Sequence, residues 1–261
     1  MMERKLTQLD IGDLPSSLRP FAEGATVYDS SCSKAARVYF LDKGEGFYLK
    51  KSANGSLQKE AAMTEFFHTK GLAPEVIAFE SSDYDWMLTK RALGEDCIAP
   101  MYLSGPQRLC DLTATLLRQL HEVDISGCPV NRTADYLTTA RENYRHKRYD
   151  IHLFPDNWGY ATPEEAWAEI ERNGDSLRAD TLLHGDYCLP NILLNNWQFS
   201  SFIDLDAAGI GDRHIDLFWG MWSLNFNLKT DAYCQRFLDV YGRDLIEPER
   251  FRTVAAVEVF G

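Results

Sequence analysis

The sequence predicts an α+β fold in which strands dominate the first third of the chain and helices the remainder. Residues 25–51 contain three short apolar stretches separated by turn residues, which is the pattern of consecutive strands. A helical pattern over residues 56–69 separates them from two further strands, at 76–80 and 86–91. Beyond residue 104, apolar side chains recur every three or four positions, as in amphipathic helices.

A linker predicts where the chain divides. The stretch Ala92-Leu93-Gly94-Glu95-Asp96 follows the last predicted strand and precedes the first long helix, in which Leu109, Leu112, Leu116 and Leu120 form an apolar face. We therefore predict an N-terminal lobe of residues 1–91 and a C-terminal lobe of residues 92–261. Further helices are predicted at 133–148, 162–171, 213–226, 230–241 and 248–261.

Composition limits the class of protein. The chain has 261 residues, 45% of them hydrophobic, which is typical of an ordered globular protein. Its 39 acidic and 27 basic residues give a net charge of −12, which argues against a nucleic-acid partner and favours a cationic substrate. The sequence shows neither a membrane span nor an apolar signal segment, and its six scattered cysteines favour reduced thiols in a cytoplasmic protein.

The strongest functional signal lies in residues 182–206. His184-Gly185-Asp186 follows a short apolar run, and Pro190 keeps the next segment from becoming helical. Residues 192–194 and 200–203 predict a hairpin around the turn Asn195-Asn196, so Asn191 and Asp204 at its outer ends should face one small volume. Two such oxygen ligands beside a third carboxylate suit Mg²⁺.

This spacing matches phosphoryl transfer, which uses a base aspartate, an asparagine five residues later and a metal aspartate on a following strand. Asp186 would then orient the acceptor hydroxyl and accept its proton, while Asn191 and Asp204 would bind Mg²⁺. On the third strand, Lys50 could hold the nucleotide phosphates and Glu60 could reach back to it from the next helix. Lys51 and Glu65 are the alternatives if the register differs by one position or one turn.

The same stretch resembles a known family. The spelling His-Gly-Asp, followed by Asp212-Arg213 and Asp216, is similar to that of the aminoglycoside phosphotransferases. Leu-Pro-Asn followed by Phe-Ile-Asp-Leu most resembles the kanamycin-kinase (3′) group. The resemblance implies a bilobal protein-kinase-like fold, with a small antiparallel-sheet lobe carrying one helix and a larger, mainly helical lobe.

The resemblance also implies site residues and cofactors. ATP would be the phosphate donor with Mg²⁺, and GTP is possible because some relatives use it. Tyr48 would stack on adenine, the turn containing Ser31 and Ser33 would approach the phosphates, and the backbone at Lys90 and Ala92 would pair with the adenine edge. The residues that would bind the cationic substrate are Asp156, Glu258, Phe260 and Gly261, the last through its carboxylate.

Some positions depart from the family's pattern. Leu189 stands where close relatives can have a carboxylate, Phe226-Asn227 replaces an acidic pair, and Asp206-Ala207 replaces a glycine and often an arginine.

Three interpretations follow. The first is an enzyme, a monomer or weak dimer, that phosphorylates an aminoglycoside at its 3′-hydroxyl and confers resistance. The second is a kinase of another hydroxylated compound, such as a sugar, a macrolide or choline. The third is a catalytically silent nucleotide-binding paralogue. The sequence argues against it, because it retains Asp186, Asn191 and Asp204.

Overall fold

A computed structural model describes residues 4–32, 36–150 and 158–261. The chain forms two compact units: Met1–Ala99 with Pro190–Asp206, and Pro100–Leu189 with Ala207–Gly261. The first unit holds most of the strands and the second most of the helices, so the predicted α+β class is confirmed. The division differs from the single boundary predicted after residue 91, because the 190–206 segment pairs with a strand at Glu95–Asp96.

The first unit contains a six-stranded antiparallel sheet. Its strands are β1 (Lys5–Leu6), β2 (Thr26–Asp29), β3 (Arg37–Asp42), β4 (Phe47–Ala53), β5 (Val76–Ser81) and β6 (Tyr84–Lys90). They lie side by side in the order β1-β2-β3-β4-β6-β5. The three strands predicted over residues 25–51 are present, whereas β1 was not predicted because its two exposed residues carry no apolar alternation.

Alternation along the strands gives this sheet two different faces. Leu41, Leu49 and Leu88 point to one face, where they pack against Leu14 and Leu18 of the segment that leads into a short helix, α1 (Arg19–Ala22). Their neighbours along β3, β4 and β6 point to the opposite face. That second face carries the polar side chains of the candidate site.

One long helix, α2 (Gln58–Thr69), joins β4 to β5. It buries Ala61, Met63 and Phe67, as an amphipathic helix packed on a sheet does. The prediction began this helix two residues early. Ser56 instead donates its hydroxyl to the Ala53 carbonyl and forms part of the preceding turn.

A second, three-stranded sheet completes the first unit. It consists of β7 (Glu95–Asp96), β9 (Ile192–Asn195) and β10 (Gln198–Phe202), with β9 in the centre. The predicted hairpin is therefore present, but its turn lies one residue later than predicted, at Asn196-Trp197. Both residues have positive φ, 51° and 66°, which is the geometry of a tight two-residue hairpin turn.

The second unit is mainly helical. Its helices are α3 (Pro100–Leu103), α4 (Pro106–His121), α5 (Thr133–Arg145), α6 (Pro163–Asn173), α7 (His214–Leu228), α8 (Cys234–Tyr241) and α9 (Pro248–Glu258). Two short strands, β8 (Thr181–Leu183) and β11 (Gly209–Gly211), pair antiparallel. The predicted helices are present, although α8 begins four residues later than predicted. Among the described residues, no helix is both long and apolar enough to cross a membrane.

Aromatic residues form much of the core of this unit. Phe218 and Phe260 are buried in one cluster with residues of α5, α6 and α9. On α7, Phe218 is 5% exposed and belongs to this core, whereas Phe226 is 54% exposed. Phe226 lies in the last turn of α7, where its ring stacks on Trp222 at 5.0 Å between centroids.

Candidate active site

A lysine with two carboxylate partners lies on the polar face of the large sheet. The Lys50 ammonium is 2.9 and 2.7 Å from the two carboxylate oxygens of Glu60. It is also 2.8 Å from Oδ1 of Asp204. Alternation along β4 places Lys50 on this face, and the first turn of α2 places Glu60 beside it.

The alternative residues are located elsewhere. Lys51 points to the opposite face, with its ammonium 3.9 Å from the ring centroid of Tyr84 and 4.6 Å from that of Trp86. Glu65 is exposed on α2. The predicted register of β4 is therefore the observed one.

Burial and charge act against each other in this cluster. Burial raises the pKa of Glu60 to about 7, although the neighbouring Lys50 charge lowers it. Burial alone would lower the pKa of Lys50, but the carboxylates of Glu60 and Asp204 raise it above its ordinary value. Lys50 therefore stays an ammonium ion, held between the carboxylates of Glu60 and Asp204.

A cavity of about 520 Å³ opens beside this cluster, within the first unit. Its lining includes Tyr48 and Lys50 of β4, the segment 90–92, and Asp204. We call this space the first-unit cavity. The other residues that line it include Arg4, Ser30, Cys32, Val38, Glu60, Met87, Thr89, Glu95, Asp96, Asn191 and Asp206.

The hairpin brings two oxygen-bearing side chains to this cavity. Phe202 pairs with Ile192, and the Ile203 amide donates to the Asn191 carbonyl at 3.1 Å, so Asn191, just before β9, and Asp204, just after β10, lie at the open end of the hairpin. Asp204 has a left-handed φ of 61°, a conformation that is strained for a residue with a side chain. Its side chain is 52% exposed, whereas Asn191 is buried.

These two side chains fit a magnesium ion. Mg²⁺ is held in nucleotide sites by one or two protein oxygens, with water and phosphate oxygens completing its shell. The amide oxygen of Asn191 and the carboxylate of Asp204 supply the two protein oxygens. Across the described parts of the chain, no three His, Cys, Asp or Glu side chains group as an all-protein metal cage would.

The other predicted nucleotide-binding residues take different positions. Tyr48, Lys90 and Ala92 line the first-unit cavity. Ser31 does not: its hydroxyl accepts from the Val38 amide at 2.9 Å, so it orders the turn between β2 and β3. Ser33 lies outside the described residues. The Lys90 amide donates to the Glu75 carbonyl at 3.0 Å and is thus used within the protein.

Several cavity residues were missed from the sequence. Arg4 lies 44 residues from Tyr48, to which it donates a hydrogen bond, and no local pattern signals that contact. Glu95 and Asp96 were assigned to a linker because two-residue strands leave no periodic signal. Cys32 follows Ser31 in the turn and is exposed. Burial, with a smaller effect of the Asp204 charge, raises the pKa of the Cys32 thiol.

In the second unit, a buried carboxylate holds the loop that carries Asp186. Asp216 accepts hydrogen bonds from the backbone amides of His184 at 2.8 Å and Gly185 at 2.7 Å. The His121 ring lies 3.1 Å from Asp216 through Nε2 and 2.8 Å from the Tyr241 hydroxyl through Nδ1. Both ring nitrogens of His121 therefore contact side chains, so His121 links Asp216 to Tyr241 of α8.

The residues that flank Asp186 are tied to neighbouring helices. The Tyr187 hydroxyl donates to the Thr113 carbonyl of α4 at 2.8 Å. The Leu189 amide donates to the Ser223 hydroxyl of α7 at 2.8 Å. Asp186 is partly exposed between these two anchors, so the loop presents its carboxylate from a fixed backbone.

Three of the four predicted substrate-binding residues lie at the end of the chain. Glu258 is 5% exposed and accepts a hydrogen bond of 2.7 Å from the Tyr136 hydroxyl; burial raises its pKa to about 7. The Phe260 ring is fully buried, edge-on to the rings of Tyr144 and Tyr149, so it has a packing role. Gly261 is exposed. Asp156 lies outside the described residues.

The positions that depart from the family's pattern have structural partners. Leu189 is buried, and the Asn227 amide donates to the Ser223 carbonyl at 2.7 Å. The guanidinium of Arg132 donates to the carbonyl of Ala207. These contacts give Leu189, Asn227 and Ala207 structural roles within the second unit.

The fold and the Lys50 cluster together define a class of protein. A strand lysine held by a helix glutamate, with an asparagine and an aspartate on a later hairpin, is the arrangement used by kinase-fold phosphotransferases. Solved structures support the fold. An aminoglycoside-3′-phosphotransferase of type VIII superposes with a TM-score of 0.75 over 96% of both chains, at 24% identity. An aminoglycoside phosphotransferase of Streptomyces rimosus, in complex with ADP and streptomycin, gives 0.72 over 97% of this chain and 100% of its own, at 21% identity.

Sequence comparison gives the family. The pattern of the phosphotransferase enzyme family (APH) matches residues 33–253. A probable aminoglycoside 3′-phosphotransferase of Lactococcus lactis subsp. lactis (strain IL1403) is 46% identical over 263 aligned positions, which cover 100% of both chains. The chain belongs to the phosphotransferase enzyme family, and its predicted bilobal, protein-kinase-like fold is confirmed.

Proposed function

We propose that this protein transfers the γ-phosphate of ATP to the 3′-hydroxyl of an aminoglycoside and so confers resistance to it, acting in the cytoplasm. The observation that carries the proposal is the Lys50 cluster, which places a fixed ammonium ion and the Asp204 carboxylate on one cavity. The 46% identity over the whole chain supports the choice of acceptor.

The residues of the first unit would bind the nucleotide. Tyr48 would stack on the base, and Lys50, held by Glu60, would bind the α- and β-phosphates. Asn191 and Asp204 would hold Mg²⁺, which neutralises charge on the nucleotide phosphates when bound. Because the transition state of phosphoryl transfer is loose, the protein contributes mainly position and charge.

Asp186 would act on the acceptor. It would orient the hydroxyl and accept its proton as the oxygen–phosphorus bond forms and the bond from the γ-phosphorus to ADP breaks. The carboxylate of Asp216 would keep the loop in place through its two backbone contacts. His184 has no exposed surface, which suits a brace and not a base.

Charge supports a cationic acceptor. The chain has a net charge of −12, and the Gly261 carboxylate, Glu258 and Asp156 are the groups that we propose meet its ammonium groups. Pairs of this kind weaken as salt rises. Kanamycin-dependent ATP consumption should therefore fall with ionic strength and with deletion of residues 258–261.

A second candidate is a kinase of a less cationic hydroxylated compound. It is favoured by α7, which presents Phe226 and Trp222 as stacked rings and Asn227 as an amide in place of an acidic pair. Aromatic faces can stack on sugar rings without requiring a positive charge.

A substrate panel tests both candidates. ATP consumption is measured with kanamycin, other aminoglycosides, neutral sugars, a macrolide and choline, and the product is located by phosphorus and proton NMR. The proposal expects turnover with kanamycin and phosphate on its 3′-oxygen. Turnover only with a neutral compound would favour the second candidate, and ADP binding without any turnover would indicate a silent paralogue.

A further inference from the structure

A side chain at the start of the chain reaches into the first-unit cavity. Arg4, immediately before β1, donates from Nη2 to the Tyr48 hydroxyl at 2.7 Å. Its guanidinium carbon lies 3.8 Å from the ring centroid of Phe40. Arg4 and Tyr48 both line the cavity, so this contact belongs to its wall.

The backbone beside Arg4 is held firmly. Lys5 pairs with Asp29 and Leu6 with Tyr28, and the Thr7 amide donates to the Val27 carbonyl at 3.0 Å. These ladder bonds fix the origin of the Arg4 side chain at the edge of the sheet. Arg4 is thus attached at its backbone, and its guanidinium is held by Phe40 and Tyr48.

The side chains of Arg4, Phe40 and Tyr48 contact one another in a single cluster. The rings of Phe40 and Tyr48 lie 5.2 Å apart at an angle of 47°, and the guanidinium covers the Phe40 ring while it binds the Tyr48 hydroxyl. The contact with Phe40 constrains the Tyr48 ring on one side only. The bond from Arg4 also fixes its hydroxyl end, so the ring has one preferred orientation.

We propose that Arg4 is a positioning residue of the nucleotide site, which holds the Tyr48 ring in the orientation that stacks on the base. The inference rests on the proposed function to the extent that it takes the first-unit cavity as the nucleotide site. A ring that is already oriented loses less conformational freedom when the base binds. Arg4 should therefore affect nucleotide affinity and leave the chemical step unchanged.

The test measures ADP binding by calorimetry, without an acceptor. Arg4→Ala should weaken ADP binding by up to about tenfold, since immobilising one side chain that is free before binding costs roughly that factor at most. Tyr48→Phe removes only the hydroxyl and should weaken binding to a similar degree. Because both variants break the same bond, the double variant should be no weaker than either single one. Arg4→Lys keeps a donor but loses the planar stack, and should fall between Arg4→Ala and the parent protein.

Lys51→Ala is the matched control. Lys51 makes a cation–π contact on the same sheet but on its opposite face, so its removal should leave the ADP dissociation constant unchanged. In turnover assays, Arg4→Ala should raise KM for ATP while kcat and KM for the acceptor remain those of the parent protein. Thermal unfolding of every variant reports whether it is folded.

The outcomes separate this inference from the proposed function. An Arg4→Ala affinity within twofold of the parent, or losses that add in the double variant, would overturn the role of Arg4. If the parent binds ADP but phosphorylates no aminoglycoside, the acceptor assignment fails while the binding data still decide the role of Arg4. If the parent binds no ADP, both fail.

Discussion

The backbone amide of Gly185 donates a hydrogen bond of 2.7 Å to the buried carboxylate of Asp216, thirty-one residues further along the chain. Gly185 has a φ of 84°, and a Cβ at this position would lie 1.8 Å from the Ala207 carbonyl oxygen. Only glycine fits this backbone, and a carboxylate with two acceptor oxygens satisfies both the His184 and the Gly185 amides. The geometry of the loop therefore depends on Asp216.

Replacing Asp216 by Ala should lower kcat by at least ~10²-fold, because the loop that orients Asp186 loses both contacts. The two backbone amides would be left buried without acceptors, at about 1–3 kcal/mol each, so thermal stability should fall as well. ADP affinity should not change, since Asp216 belongs to the second unit and the cavity is lined by the first. Steady-state kinetics and ADP calorimetry on the same preparation check this; an unchanged kcat would contradict it.

Replacing Glu60 by Gln should weaken ATP binding and lower kcat, each by roughly tenfold or more, because Lys50 loses the carboxylate that fixes its ammonium. Glu65→Gln is the matched control, since Glu65 lies on the same helix and is exposed. The measurement is KM for ATP and kcat in the presence of a saturating acceptor. Equal effects of the two substitutions would show that the Lys50–Glu60 pair has no special role.

Glu258 should make stability depend on pH. Burial raises its folded pKa to about 7 from an ordinary value of 4.5, so the folded protein keeps a proton there that the unfolded chain releases. This contribution is fully present below pH 4.5 and is lost as pH rises through 7, by an amount on the order of 3 kcal/mol. Urea unfolding between pH 5 and 8 should show this loss.

Glu258→Gln should flatten that part of the profile, because an amide cannot ionise. The exposed Glu171 on α6 provides the control, and Glu171→Gln should leave the slope as it is. If the parent protein became more stable between pH 5 and 8 and Glu258→Gln did not, the pH dependence would have the opposite sign and would contradict this explanation.

Nucleotide should protect Cys32 from alkylation. Of the six cysteines, Cys32 is exposed and the other five are buried or partly buried, and Cys32 lines the first-unit cavity. Although the residue is exposed, its sulfur is partly desolvated by surrounding protein atoms, which raises the pKa of the thiol, so the reaction with iodoacetamide should be slow at pH 7 and faster at pH 9. Mass spectrometry should show labelling of Cys32 slowed at least fivefold by ADP. Cys32→Ser should lose the protected signal, and equal labelling with and without ADP would place the nucleotide elsewhere.

Residues close in sequence were the easiest to predict. Strand alternation placed Lys50 on the cavity face, and the hairpin placed Asn191 and Asp204 at its two ends. Both predictions depend only on the alternation of side chains along a strand. The choice of Glu60 over Glu65 needed only the position of the first turn of α2.

Contacts between distant segments were not predicted. Arg4 meets Tyr48 because β1 joins the sheet edge, and His121 meets Tyr241 because α4 and α8 pack together. Neither contact leaves a pattern in the local sequence. The spacing of aromatic residues gives the face of a helix but not where the protein core ends along it, so it does not show that Phe226 is exposed.

Asp186 should act on the acceptor hydroxyl in a nucleotide-dependent phosphotransfer. The most direct test compares kanamycin-dependent ATP consumption by the parent protein, by Asp186→Ala and by the surface control Asp239→Asn. We predict that Asp186→Ala lowers turnover by ~10²–10⁴-fold while ADP affinity is retained, and that the control keeps the turnover of the parent protein. Near-normal turnover by Asp186→Ala would contradict it.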